Sequence, residues 1–457
     1  MKTYLDWSSY QDSGMGDAYA DIPKSGGNFA KAVAVCIKSG LCETKPKGVM
    51  CPSFRTSDDN SLSTGGRIRL LKMALNGELG ELPFADHVLA QTMDMCMACK
   101  GCKRECENSV DMAMIKIEYL AQRNAIQGTS LRTRLFGNIA DWFHRYPVLK
   151  KIPTLHNRFP VVAKLNEKLI GITSKRSLPV SAKREFEYGD YQSAIKATED
   201  NEVVLLIDTF TKTFNPDNAY AALQVLESAG YRVYIAQPNC HNKQTLCCGR
   251  TQLAHGLIDE AKQHARQMLA VLAPHVAAGR AVIGLEPACL LAVRDDYKFL
   301  GLGDVAEKVA KQAILFEEFI AREKMANRFR LEFNPVKQTV LVHGHCHQKA
   351  VGAMKSMRKV LKLIPELKFE MIESSCCGMA GSFGIEKEHT EMAMQMAELS
   401  LLPALRNKPG ATVVANGFSC QHQIREGCKH QPVHIAVLLR DALGLANNNG
   451  VKNETAD

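Results

Sequence analysis

The spacing of Cys96, Cys99, Cys102 and Cys106 constrains this chain more than any other feature. It reads C-x2-C-x2-C-x3-C, a run suited to iron–sulfur ligation. Three thiolates two residues apart wrap one face of a cubane along a tight turn. Gly101 lets the backbone come close, and the fourth cysteine points away to a second cluster. The remaining cysteines are as unevenly placed. Of sixteen in 457 residues, seven lie from Cys36 to Cys106 and nine from Cys240 to Cys428, with none between the two groups. In a chain without secretory features, clustered cysteines read as metal ligands before disulfides.

A second run completes the first in altered form. Cys36 and Cys42 hold the first and third positions, Ser39 stands where the second cysteine belongs, and Cys51-Pro52 supplies the fourth after an insertion. Cross-ligation then gives one 4Fe-4S cluster on Cys51, Cys96, Cys99 and Cys102. The other set, Cys36, Cys42 and Cys106, is one thiolate short. It implies either a 3Fe-4S cluster or a four-iron cluster completed by Ser39, another oxygen or water; a serine that touches no iron is the plain alternative. Glu107 replaces the proline that usually follows the fourth cysteine.

The second half alternates short β-branched runs with amphipathic helices. Strands are expected at 203–207, 231–236, 281–285, 339–343, 369–372 and 411–415, and this alternation implies mostly parallel sheets. The six runs fall into two sets of three. In the first, a strand leads to Asp208-Thr209, a loop carries Cys247-Cys248-Gly249, and a last strand leads to Cys289. In the second, a strand leads to His343, His345 and Cys346, a loop carries Cys376-Cys377-Gly378, and a last strand leads to Cys420. Groups beyond the carboxyl ends of parallel strands converge. Cys346, Cys376, Cys377 and Cys420 are therefore expected to hold an iron–sulfur cluster or Zn²⁺. The first module offers Cys247, Cys248 and Cys289, with Asp208 or Thr209 in place of Cys346 and Cys240 as a substitute. His343, His345 and His347 are read chiefly as satisfied loop histidines, and Cys428 has no role.

The fold expected is a multi-domain α+β chain. Residues 1–28 form a flexible leader. A helical two-cluster ferredoxin-type domain (29–122) has helices at 67–75 and 110–120. A basic helical linker spans 123–198, the Cys-Cys-Gly α/β modules span 199–335 and 336–445, and a disordered tail spans 446–457. From 121 to 184 there are thirteen Lys/Arg against Asp141 and Glu167, and Pro147, Pro153 and Pro160 break the segment into short helices. Such a basic face suits an acidic partner or anionic lipid heads. No nucleic-acid-binding motif accompanies it, so no nucleic acid is expected. No apolar run reaches membrane-spanning length. The expected setting is cytoplasmic, with peripheral contact at the cytoplasmic face of the inner membrane.

Together these elements resemble the iron–sulfur subunits of glycolate oxidase and anaerobic glycerol-3-phosphate dehydrogenase and, in the second half, the Cys-Cys-Gly component of heterodisulfide reductase. Most closely they resemble the C-terminal half of FAD-linked D-2-hydroxyacid dehydrogenases of the D-lactate or D-2-hydroxyglutarate type. The Ser-substituted run, Cys51-Pro52-Ser53-Phe54, Gly66-Arg67-Ile68-Arg69-Leu70 and Cys376-Cys377-Gly378-Met379-Ala380-Gly381 carry the likeness, over about residues 30 to 445. The resemblance implies an oxidoreductase component that relays electrons from a flavin, carried on a partner FAD-binding chain, to a quinone or cytochrome. A catalytic heterodisulfide or quinone reductase is the alternative, and an iron–sulfur sensor a more distant one.

Overall fold

The computed structural model describes residues 1–44, 48–187, 193–196, 198, 201–237 and 246–445. Cys240 and the tail 446–457 lie outside the described residues. Helices dominate, joined by two small parallel sheets. The first sheet contains β1 (Glu202–Leu206), β2 (Arg232–Ile235), β3 (Ala281–Gly284) and β4 (Ala313–Leu315), in the order β2-β1-β3-β4. The second contains β5 (Thr339–Val342), β6 (Lys368–Met371) and β7 (Thr412–Val414), in the order β6-β5-β7. Every pairing is parallel. The six expected strands are present with shifted ends, and β4 is an addition.

The inner strands β1, β3 and β5 are buried on both faces, as parallel strands with helical crossovers require, while edge strand β6 exposes Lys368 and Glu370. Along β1, Val204 and Leu206 enter a core shared with the N-terminal helices, while Val203 and Leu205 enter a core between the two sheets. Along β5, Val340 and Val342 face that middle core, and Leu341 faces a third core with Met97, Cys99, Cys376, Cys377 and Cys420. The N-terminal cysteine loop thus borders both outer cores: Cys102 belongs to the first and Cys99 to the third. Each fully buried Leu or Phe in these layers contributes roughly 1.5–3 kcal/mol.

In the N-terminal block, the helix Thr64–Asn76 is capped by Ser63, whose hydroxyl accepts from Gly66 N at 2.8 Å. A Cβ on Gly66 would lie 2.1 Å from Asn60 O, so no larger residue fits. The helix Met112–Gln127 is capped by Asp111 through Met114 N. The leader differs from expectation. Leu5 and Trp7 are both 3% exposed, and buried Glu118 accepts from Tyr4 N (3.0 Å), Leu5 N (2.9 Å) and Trp7 Nε1 (3.2 Å). A carboxylate buried in the interior needs such donors, and the first residues supply them.

The linker consists of Leu131–Gly137, Ile139–Arg145, Pro147–Lys151, Ile152–Arg158 and Pro160–Ile170. Pro147, Pro153 and Pro160 each stand at the first or second position of a piece, where a missing N–H costs nothing. No helix among the described residues is long and apolar enough to cross a membrane.

A buried ion network ties the N-terminal block to the first sheet. Lys100, 2% exposed, bonds Asp295 at 2.8 Å and also Asp296. Lys103 reaches Asp111 at 2.9 Å and Asp295 at 3.3 Å, and Arg250 approaches Asp296 at 3.6 Å.

Candidate metal centres

Left-handed backbone at Ala98 (φ 46°) and Lys100 (φ 60°) turns the chain between the cysteines of the run. The Cys102 thiol is pushed up by burial first and then by Cys51 and Cys96, as neighbours of one set must be. Cys51 itself, with φ 53°, is raised to about 11 chiefly by burial. Gly101 also serves the packing around Cys51. A Cβ there would sit 2.8 Å from Met50 N, so its bareness admits the backbone that carries Cys51. The Glu105 carboxylate fixes that backbone by accepting from Val49 N (2.7 Å) and Met50 N (2.9 Å). Thr64 N donates to Cys51 Sγ at 3.1 Å.

The thiolate-poor set converges as well. Cys36, Cys42 and Cys106 line a cavity of about 50 Å³ together with Ser39, which is exposed at its rim. Gly65 N donates to Cys42 Sγ at 3.2 Å. The N-terminus of one helix, Thr64–Asn76, therefore points N–H donors at a sulfur of each set, and its partial positive charge favours thiolate there. Three sulfurs, a hydroxyl and an open rim fit a cluster completed by serine or by water.

In the second half, four cysteines meet. Cys376 hydrogen-bonds to Cys346 and Cys377, and Cys377 to Cys420. Hydrogen bonds from Cys376 first, and then Cys420, hold Cys377 well below the usual thiol range. His343 joins them: its ligand atom and the Cys377 and Cys420 sulfurs all lie within 4.8 Å of one another. His343 Nδ1 pairs with Ser374 Oγ at 3.0 Å, and the imidazole also hydrogen-bonds to Cys377. A buried imidazole beside four crowded sulfurs fits a metal or cluster. His345 caps the helix Cys346–Ala350, accepting from His347 N at 3.2 Å, and burial lowers it to about 4.

The first module repeats this construction with different chemistry. Asp208 caps the helix Thr209–Thr213 as His345 caps Cys346–Ala350, which puts Thr209 in the place of Cys346. Cys289 is third in the helix Pro287–Leu291, and Cys420 is third in Phe418–Cys428. Cys248 hydrogen-bonds to Cys247 and Cys289. The Cys248 contact lowers Cys289, but burial carries it up to about 12. Thr209 Oγ1 is buried without a partner. Cys428 stands apart, donating to Ile424 O at 3.2 Å.

The sequence reading undervalued His343 and missed Glu286. Glu286 accepts from Ala288 N (3.1 Å) and from Phe418 N (2.7 Å) of the other module, and burial, then Asp208, raises it to about 8. His343 directly follows β5 and Glu286 lies two residues beyond β3, so the strand-end rule was the signal that pointed to them. A cavity of about 730 Å³ reaches Cys96, Cys289, Cys346, Cys376, Cys377 and Cys420.

Comparisons with known proteins match both halves of the chain. Residues 32–110 match the 4Fe-4S dicluster domain and residues 340–425 the cysteine-rich (CCG) domain. D-2-hydroxyglutarate dehydrogenase of Escherichia coli (strain K12) is 24% identical over 446 residues, covering 85% of this chain and 42% of that protein. One component of the anaerobic glycerol-3-phosphate dehydrogenase of the same organism is 24% identical over 289 residues, 62% of this chain and 69% of that protein. The glycolate oxidase iron-sulfur subunit of the same organism is 22% identical over 425 residues, 89% of this chain and 93% of that protein. The chain spans less than half the length of the D-2-hydroxyglutarate dehydrogenases it matches. It carries both domains and is related to the iron–sulfur parts of flavin-linked dehydrogenases.

Proposed function

We propose that this chain is the electron-relay part of a D-2-hydroxyacid dehydrogenase, working between an FAD-binding partner or domain and a quinone or cytochrome. Cys51, Cys96, Cys99 and Cys102 hold one cluster. Cys36, Cys42 and Cys106, with Ser39 or water, hold another, and Cys346, Cys376, Cys377 and Cys420 hold a third centre. Iron–sulfur centres supply one-electron transfer at fixed positions. The chain's own residues bury the sulfurs, aim N–H groups at Cys42 and Cys51, and hold the sets next to each other. Two further parts of the reading are the domain limits at 29–122, 123–198, 199–335 and 336–445, and descent of the two modules from one duplicated unit. Their shared strand order and helix caps support the latter.

The observation that carries the proposal is the junction between the two halves. Burial first, and then the neighbouring Cys346, push the Cys99 thiol up, and His347 Nε2 pairs with Ala98 O at 3.1 Å. Ligands of the N-terminal and C-terminal sets are thus neighbours. The test is anaerobic purification of the chain alone and together with a flavoprotein partner. Roughly 11 to 12 irons per chain are expected from the ligand counts, with no D-lactate or D-2-hydroxyglutarate oxidation by the chain alone, even with added FAD. Four or fewer irons, or dye reduction by the isolated chain with a D-2-hydroxyacid, overturns the reading. A second reading, reduction of a disulfide or quinone in the Cys-Cys-Gly half, is favoured by the cavity at its cysteines.

A further inference from the structure

The helix Pro160–Ile170 carries Val161, Leu165 and Leu169 at i, i+4 and i+8, a spacing that normally faces a core. Here they are 79%, 52% and 66% exposed. Exposed Ile152, Leu155 and Phe159 continue the stripe onto the preceding helix. Residues 131–180 hold ten of the 21 exposed large hydrophobics among the described residues, far beyond their share of length. Cations are interleaved with them. Arg134, Arg145, Lys151, Arg158, Lys164 and Lys168 have no carboxylate partner among the described residues, whereas Arg132 and Lys150 do. Arg145 and Arg158 lie over the rings of Tyr146 and Phe159.

The same helices roof the cavity of about 730 Å³, lining it with Phe136, Trp142 and Ile152. Phe210, Phe214 and Phe418 form an aromatic wall, with ring centroids 4.8 and 5.0 Å apart for the two pairs that share Phe418. Cys346, Cys376, Cys377 and Cys420 line the same space, as does Thr209, whose buried hydroxyl lacks a partner. Ile152 belongs both to the lining and to the outward apolar stripe, so the cavity adjoins that face.

We infer that helices 131–170 rest on an anionic lipid surface and that the cavity beneath them binds the ring of a lipid-soluble quinone. The inference rests on the electron-relay reading and selects the acceptor within it. Cations alternating with apolar and aromatic residues mark an interfacial helix face, whereas the centre of a protein–protein interface is depleted of charge. An aromatic-walled space with one free hydroxyl suits a flat ring bearing a carbonyl oxygen. A cytochrome cannot enter such a cavity, and a small ring can.

The test uses the full chain, purified anaerobically with its iron. Flotation with phosphatidylglycerol vesicles, and not with phosphatidylcholine vesicles, is expected. The exposed triple variant Val161→Glu, Leu165→Glu and Leu169→Glu should lose at least about tenfold in partitioning at unchanged iron content. An azidoquinone photolabel should map to peptides containing Phe136–Ile152, Phe210–Phe214 and Phe418 and be displaced by excess quinone. Failure to float with anionic vesicles, labelling elsewhere, or displacement of the label by a dialkyl disulfide instead of quinone overturns the inference. Iron and sulfide counts report separately on the relay reading, so an iron-loaded chain that binds no quinone defeats only this step.

Discussion

The two Cys-Cys-Gly modules share a frame and differ in their donors. Each has an inner parallel strand, caps the following helix with a polar side chain two or three residues beyond that strand, and sets a cysteine third in a later helix. In the second module the donors are four cysteines and His343. In the first they are Cys247, Cys248 and Cys289, while Thr209 takes the place of Cys346 and the acids Asp208 and Glu286 face the sulfurs. Burial raises the carboxyls of Asp208 and Glu286, so both are held toward their neutral form beside these thiols. A shared frame thus carries two different donor sets. The first module also positions its neighbours: Glu286 accepts from Phe418 N, and Lys100 is held by Asp295 and Asp296.

The comparison is most exposed to a metal count. Cys377→Ala should remove the whole second-module centre, roughly four of the 11 to 12 irons if it is a four-iron cluster. Cys248→Ala should leave iron unchanged. Equal losses would mean that the first module also holds a centre, with Cys240 as its missing ligand. Stability offers the next contrast. Gly378 (φ 87°) has Ala393 O at 2.1 Å from a built Cβ, and Gly249 (φ 75°) has Ala261 O at 3.1 Å. Gly378→Ala should cost about 3 kcal/mol or more and Gly249→Ala about 1–2 kcal/mol, read by thermal melting. Two oxygen side chains stand where the cysteine pattern asks for sulfur, which gives a third test. Ser39→Cys should change the paramagnetic resonance spectrum of the Cys36/Cys42/Cys106 centre, and Thr209→Cys should raise bound metal in the first module. Identical spectra for Ser39→Cys would show that the missing thiolate does not matter. The smallest effect is expected at Cys428, whose replacement by alanine should shift stability by under about 1 kcal/mol and iron not at all.

Much of this arrangement is legible before folding. Cysteine spacing carries the geometry of a cluster, so the gathering of Cys36, Cys42 and Cys106, and of Cys51 with Cys96 and Cys102, can be anticipated from their order. Strands β1, β3 and β5 announce themselves by β-branched runs. β4 does not: three residues, Ala313–Leu315, follow an amphipathic helix and are held by pairing with β3. The leader was misread because its partner, Glu118, lies more than a hundred residues away and shows only as one acid in an apolar helix. The cavity was illegible for the same reason. Trp142 and Phe418 are far apart in sequence and become opposite walls only once the linker folds over the second module.

Lys100 bears on anyone who would dissect this molecule. The basic linker looks like the natural place to cut, since its composition changes there and prolines punctuate it. Yet a piece ending before the linker would carry Lys100, set between two cysteines of the run, without Asp295 and Asp296. Removing the partners of a buried charge costs about 3–5 kcal/mol. The N-terminal block taken alone should therefore be harder to express than the intact chain. A cut after residue 335 meets the same difficulty, since it would part buried Arg440 from Asp217 and buried Glu286 from Phe418 N.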